Sequence, residues 1–211
     1  MNYICNCKKI NFKKKEYTYW EDRDVTTDEL DIVNFLKKLN NLNSKSILHI
    51  GIGSSFFAEN FSKDNQIIGL TVSQKEINKA NELNLSNYKV FLCDKYSKEF
   101  KSSLNNIKFD LIVDTNLKSY SCCIEAFDYF MKNLISKLNT NGILITSKNG
   151  MSWFKKLKPK LSFNFKKFLY YKLKEVDGDK KNILTIDELE NFSKSYNLKM
   201  SFNEKLCYLE K

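Results

Sequence analysis

Five apolar runs of five to seven residues, SILHI (46–50), QIIGLTV (66–72), YKVFLCD (88–94), FDLIVD (109–114) and ILITS (143–147), recur through the first 147 positions of the chain. Each reads as a short strand. The segments between them carry helical signals. Thr26-x-x-Glu29 forms a capping box ahead of Leu30, Val33, Leu36 and Leu39, which predicts a helix over 27–40. A short helix is expected through Phe56, Phe57 and Phe61, and Ser73-x-x-Glu76 opens another that runs to Leu83. Cys123, Phe127, Phe130, Leu134 and Leu138 make the apolar stripe of a further helix, and an Asn141-Gly142 turn then leads into the fifth strand. Strands alternating with helices imply an α/β, doubly wound sheet that is mostly parallel and covered on both faces.

The C-terminal part breaks this alternation. Thr185-x-x-Glu188 caps a helix to about Tyr196, and LKMSFNE followed by KLCYLEK reads as a hairpin. A hairpin is antiparallel, so one antiparallel strand is expected on an otherwise parallel sheet.

At 211 residues the expectation is a single domain, 1–211, with an N-terminal cap over 1–25 and a basic, aromatic insertion over 151–184. No run approaches the roughly 18 apolar residues that span a bilayer, and the basic N-terminus lacks the apolar core of a signal peptide. A cytoplasmic protein is therefore expected. The six cysteines lack paired C-x2-C spacing and histidine partners, so free thiols and no metal site are expected.

The formal charge of +10 is concentrated: positions 151–185 hold ten lysines against three acidic residues. Such clustering attracts an acidic substrate, nucleic acid or an anionic membrane surface, or else forms a solvated lysine-rich face.

The first strand ends in ILHIGIGSSFFAEN, in which Gly51 and Gly53 permit a sharp turn and close backbone approach while the next helix offers free N–H groups. A nucleotide-like ligand suits such a turn. The dinucleotide fingerprint needs a third glycine where this chain has Phe56, which argues against NAD or FAD.

Taken together, ILHIGIGSS, IIGLTVSQKEI, VFLCD, FDLIVD and NGILITS resemble the five strand motifs of the class I S-adenosylmethionine-dependent methyltransferases. The resemblance covers about residues 20–211, and it implies a Rossmann-like seven-stranded sheet with a C-terminal antiparallel hairpin strand. Gly69-Leu70-Thr71-Val72-Ser73 looks most like the G-x-T-x-S stretch of the cyclopropane-fatty-acid-synthase-like branch.

The cofactor implied is S-adenosyl-L-methionine. Carried over by position, Gly51, Gly53 and Ser54 would underlie its methionine part, and Thr71 and Val72 would border ribose and adenine. Glu76 falls where the branch has a ribose-contacting glutamine, although it is equally the partner of Ser73 in a capping box. Asp94 would accept from the adenine amino group, and Asp114 would face the methionine end or the acceptor. Tyr19 and Trp20, in YTYWEDRD, match an aromatic-acidic stretch that closes over the cofactor.

Two positions depart from the family pattern. His49 stands where the first motif has an acid that orients the glycine loop and, through it or water, the cofactor's amino group. The second strand also lacks the carboxylate that holds the ribose diol, a loss that Thr71 and Glu76 together can repair. His49 is expected to be neutral beside a cationic cofactor.

The reaction implied is methyl transfer to a small-molecule or lipid-linked, anionic acceptor, with RNA the less favoured partner. The alternative is a non-catalytic methyltransferase-fold binding protein. No catalytic residue is assigned; Asp114, Tyr120 and Glu125 are candidates for a general base by location alone.

Overall fold

The structure is a computed structural model, described here over residues 24–39, 42–151 and 183–211. The elements in chain order are α1 (Thr27–Lys37), β1 (Ser46–Ile50), α2 (Phe56–Phe61), β2 (Gln66–Thr71), α3 (Gln74–Glu82), β3 (Tyr88–Leu92), α4 (Lys98–Ser103), β4 (Phe109–Asp114), α5 (Ile124–Ser136), β5 (Leu138–Ser147), α6 (Lys148–Met151), α7 (Ile186–Ser195), β6 (Lys199–Phe202) and β7 (Leu206–Glu210). The cap and insertion expected over 1–25 and 151–184 lie almost wholly outside the described residues, as do Tyr19 and Trp20. No helix among the described residues is long and apolar enough to cross a membrane.

Seven strands form one sheet in the order β3-β2-β1-β4-β5-β7-β6. The first five are parallel; β7 pairs antiparallel with both β5 and β6, so it alone runs against the rest. The reversal of strand order at β1 and β4 is the place where an open parallel sheet leaves a crevice at its carboxyl edge.

Alternating side chains build a core on each face, as the pleat requires. On one side Ile47, Ile67, Leu111, Val113 and Ile145 meet Ile32, Val33 and Leu36 of α1 and Phe57 and Phe61 of α2. On the other, Leu48, Leu70, Ile112 and Leu144 meet Phe100 of α4, Phe127, Phe130 and Leu134 of α5, and Leu189 of α7. Phe130 makes edge-on contacts with Phe100 and Tyr96, both with ring centroids 5.4 Å apart. Truncating such a fully buried ring typically costs about 3–5 kcal/mol.

The capping boxes at Thr26–Glu29 and Thr185–Glu188 both form, each with the threonine hydroxyl accepting the N3 amide and the glutamate accepting the cap amide. Several expectations are corrected. Helix α1 ends at Lys37 and buries Glu29, Ile32, Val33 and Leu36, while Leu30 and Leu39 are about 40% exposed. Ile32 and Val33 are neighbours of Glu29 and Leu36 at helical spacing, and Leu30 falls off that face.

Cys123 is the N-cap of α5 and Leu138 already belongs to β5, so the stripe on α5 is shorter than expected. Asn141-Gly142 lies within β5 as a bulge. The pairing runs from Phe109↔Leu138 to Leu111↔Ile143, five steps on β5 against two on β4, and Asn141 takes a left-handed φ of 64°. The bulge is held by Asn141 N–H donating to Lys211 O at 2.8 Å and Lys211 N–H donating to Gly142 O at 3.0 Å. Helix α4 was not foreseen from the sequence; its six residues bury a single ring, Phe100.

Two contacts fix the segments that follow the sheet's carboxyl edge. A Cβ on Gly150 would stand 1.6 Å from Thr115 O, so the chain after β5 lies directly on the chain after β4. Lys118, 3% exposed, donates to Glu188 Oε1 at 2.6 Å and lies 5.3 Å over the Phe127 ring, which docks α7 on the loop after β4. Burial alone would raise the Glu188 carboxyl, but Lys118 and the Thr185 amide and hydroxyl outweigh it and hold the group below its ordinary value.

Gly150→Ala is expected to destabilise the fold by about 3 kcal/mol, because the clash is with backbone and cannot relax by a rotamer change; urea unfolding reads it directly. Glu188→Gln is expected to cost about 1–2 kcal/mol at neutral pH, less than a fully buried pair because Glu188 is partly exposed. Since its folded-state pKa is depressed, this contribution is present above the ordinary glutamate pKa and lost as pH falls through the lower folded value. The gap in urea midpoint between wild type and Glu188→Gln should therefore close as the solution is acidified below about pH 4.

Candidate functional site

A cleft opens over the carboxyl ends of β3, β2, β1 and β4 and reaches the N-terminus of α1. It encloses about 190 Å³, more than ten times the roughly 10–15 Å³ that one water needs.

At its centre the chain leaves β1 through a turn in which Gly51, Gly53 and Ser55 have φ of 77°, 53° and 66°. Gly51 N–H donates to Leu70 O at 2.8 Å, which ties the turn to β2. A Cβ built on Gly51 meets nothing within 4 Å, so the backbone presents an open cradle there, while its positive φ disfavours any side chain.

Beside the turn, at the end of β2, Thr71 Oγ1 donates to Glu76 Oε2 at 2.5 Å and accepts from Ser73 N–H at 3.0 Å. Ser73 Oγ in turn accepts Glu76 N–H at 3.3 Å and so caps α3. Thr71, Ser73 and Glu76 are each less than 8% exposed, yet all line the cleft. The cap thus fixes the start of α3, and the Thr71 hydroxyl aims the Glu76 carboxylate at the end of a strand that has no acid of its own.

At the end of β3, Asp94 lines the cleft and its Oδ1 accepts Tyr96 N–H at 2.9 Å, a local turn that holds the carboxylate in place. Cys93 beside it is buried, and that burial pushes its thiol up to about 11. The next two residues cross to the far side of the cleft. Lys95 Nζ donates to Asp114 Oδ2 at 2.8 Å, Asn116 O at 2.9 Å and Leu117 O at 3.1 Å, which uses all three of its protons. Tyr96 donates its hydroxyl to Ser119 O at 2.9 Å, and burial raises its pKa well above the usual phenol value. Asp114 is held at both oxygens, since Oδ1 accepts Asn116 N–H at 3.0 Å.

The last wall is the N-terminus of α1. Thr26 and Asp28 line the cleft, and Asp28 Oδ1 accepts from Ser147 Oγ, at the end of β5, at 2.8 Å. Ser147 Oγ also receives the amides of Asn149 and Gly150, at 3.1 and 3.3 Å.

Of the residues singled out in the sequence, Gly51, Gly53, Thr71, Val72, Glu76, Asp94 and Asp114 converge on this one cleft. His49 does not line it: it is 1% exposed and its ring sits 4.8 Å from Phe57, on the face covered by α1 and α2. Ser54 is exposed outside the lining. Of the candidate bases, Asp114 and Tyr120 line the cleft and Glu125 does not. The Glu125 carboxyl, fully exposed in the first turn of α5, is held below its ordinary value by the Cys123 thiol and then by its own helix amide. Lys95, Tyr96 and Asp28 were missed. The signal for the first two was their position directly after Asp94; for Asp28 it was its place inside the α1 capping box.

Four carboxylates, Asp28, Glu76, Asp94 and Asp114, line the cleft against a single cation, Lys95, among the described residues. Lys95 neutralises Asp114, so the remainder is acidic within a chain of net charge +10. Such a cleft favours a ligand that carries positive charge.

No family model matches the chain, and no curated protein matches it by sequence. Solved structures do match its fold. The N-methyltransferase NodS from Bradyrhizobium japonicum WM9, in complex with S-adenosyl-L-homocysteine, aligns with TM-score 0.63 at 12% identity over 93% of this chain and 97% of that one. The cyclopropane synthase MmaA2 from Mycobacterium tuberculosis aligns with TM-score 0.57 at 17% identity, over 87% of this chain and 66% of its own. A putative caffeoyl-CoA O-methyltransferase from Staphylococcus aureus gives TM-score 0.57 at 17% identity, over 93% and 90%. The fold is the Rossmann-like fold of the S-adenosylmethionine-dependent methyltransferases.

Lys95→Met is expected to leave Asp114, whose side chain is 3% exposed, as an uncompensated buried charge. Loss of about 3–5 kcal/mol of folding stability should follow, measured by urea unfolding at neutral pH.

Proposed function

We propose that this protein is a methyltransferase that moves a methyl group from S-adenosyl-L-methionine to a small-molecule or lipid-linked acceptor. The observation that carries the reading is the acidic cleft at the carboxyl edge of a methyltransferase sheet, with an open glycine cradle at its centre. Its donor set suits this cofactor, which is cationic at sulfur and nitrogen and carries a diol and an aromatic amine.

Glu76, oriented by Thr71, would accept hydrogen bonds from the two ribose hydroxyls, and so stand in for the strand-end acid that β2 lacks. Asp94, fixed by its turn with Tyr96, would accept from the adenine amino group. Gly51 and Gly53 would let the backbone come against the methionine portion without a side chain between. When bound, the cofactor supplies an electrophilic methyl group for direct displacement, so the chemistry asked of the protein is alignment and exclusion of water. Lys95 and Tyr96 serve alignment by lashing the loop after β4 to the loop after β3. Asp114, already holding two donors, would contribute a fixed negative field beside the reacting centre. For the acceptor, the lysines and aromatic residues of 151–184 support an anionic or lipid-linked compound.

Titration calorimetry with S-adenosylmethionine and S-adenosylhomocysteine tests the reading; absence of heat at millimolar ligand would sink it. Glu76→Gln should weaken both ligands about tenfold or more, the weight of a hydrogen bond to a charged group. Radiolabelled methyl transfer to pooled small-molecule and lipid extracts then tests for catalysis.

A further inference from the structure

Asp28 has no role in the strand motifs, yet the fold brings its carboxylate to the cleft from α1, the helix that precedes the first strand. The strand order serves as a ruler for its position. β3, which Asp94 follows by two residues, lies two places to one side of β1, and β5, which ends at Ser147, lies two places to the other. Neighbouring strands are about 4.8 Å apart, so the Ser147–Asp28 pair stands about 10 Å from the glycine turn along the sheet, away from Asp94 and Glu76. A ligand with its nucleoside at Asp94 and Glu76 and its middle over Gly51 directs its other end toward Asp28.

That end of the cleft needs an anion. The first-motif position that would supply one holds His49, and His49 is turned onto Phe57 away from the cleft. Asp114 at the same edge is already neutralised by Lys95. Asp28 is only partly buried, and one of its oxygens is oriented by the Ser147 hydroxyl.

We infer that Asp28 takes over the work of the missing first-motif acid and receives the α-ammonium group of the cofactor's methionine portion, a specificity-determining contact delivered by α1 rather than by β1. This rests on the cofactor reading above. It also makes α1 part of the binding site, so that the Thr26–Glu29 capping box positions a ligand contact as well as starting a helix. A carboxylate in the first turn is favoured by the helix dipole in any case, so the test must separate ligand recognition from helix stability.

The experiment is calorimetric titration of wild type and Asp28→Asn with S-adenosylmethionine, S-adenosylhomocysteine and 5′-methylthioadenosine, which keeps the nucleoside and thioether but lacks the amino-acid end. Asparagine retains an oxygen that can accept from Ser147. The expected result is a loss of at least about tenfold in affinity for the first two ligands with methylthioadenosine unchanged. The unchanged third ligand also reports that the variant is folded. Undiminished affinity for S-adenosylhomocysteine in Asp28→Asn would overturn the inference and leave the cofactor reading standing. An equal loss for all three ligands would assign Asp28 a purely structural role and overturn it too. If the wild type binds none of them, both readings fall together.

Discussion

The ion pair between Lys95 and Asp114 organises the carboxyl edge of this sheet. After β3 the chain crosses back over β2 and β1 to reach β4, and because β3 and β4 are not neighbours in the sheet, a side chain must tie together the segments that follow them. Lys95 does so at the start of the crossing, with its three protons on Asp114 and on the carbonyls of Asn116 and Leu117. Its ammonium lies 5.2 Å over Phe130, so the charge is seated on the apolar core as well as paired. The arrangement meets the two conditions under which a buried charge is tolerated, an opposite charge and complete hydrogen bonding. Removing either partner leaves the other stranded.

Around that pair the cleft has a graded character. Toward β2 and β3 its polar groups are locked by short-range contacts: the Thr71 hydroxyl on Glu76, the Tyr96 amide on Asp94. Toward β5 and α1 the wall is assembled from distant parts of the chain, with Asp28 and Ser147 separated by 119 residues. The side toward β2 and β3 is thus built from local turns, and the side toward β5 and α1 by tertiary packing. An acidic cavity in a strongly basic chain has its own consequence: cationic ligands are drawn in, while the lysine-rich surface attracts anions elsewhere.

Much of this was legible in the order of the residues. The five parallel strands, the three cap signatures and the terminal hairpin announce themselves through local periodicity and through Ser and Thr at helix starts, because those signals act over three or four residues. Seven of the positions marked as ligand contacts meet at one cleft, since motifs that end parallel strands must share the carboxyl edge. The bulge at Asn141-Gly142 was not legible, because an Asn-Gly pair favours a tight turn in isolation, and here backbone bonds to Lys211, the residue after β7, hold the pair against the sheet. Leu30 was misjudged for a similar reason: the face of α1 that is buried is set by where the sheet lies.

The sequence by itself determined the alternation of elements, their caps, the parallel sheet with one reversed strand, and the glycine turn, all of which follow from backbone preference and the apolar pattern. Tertiary structure alone decided which charges meet. It turned His49 away onto Phe57, placed Asp28 in the cleft beside Ser147, and consumed Lys95 on Asp114. Charge pairing depends on distances between residues far apart in the chain, and those distances exist only once the sheet has formed.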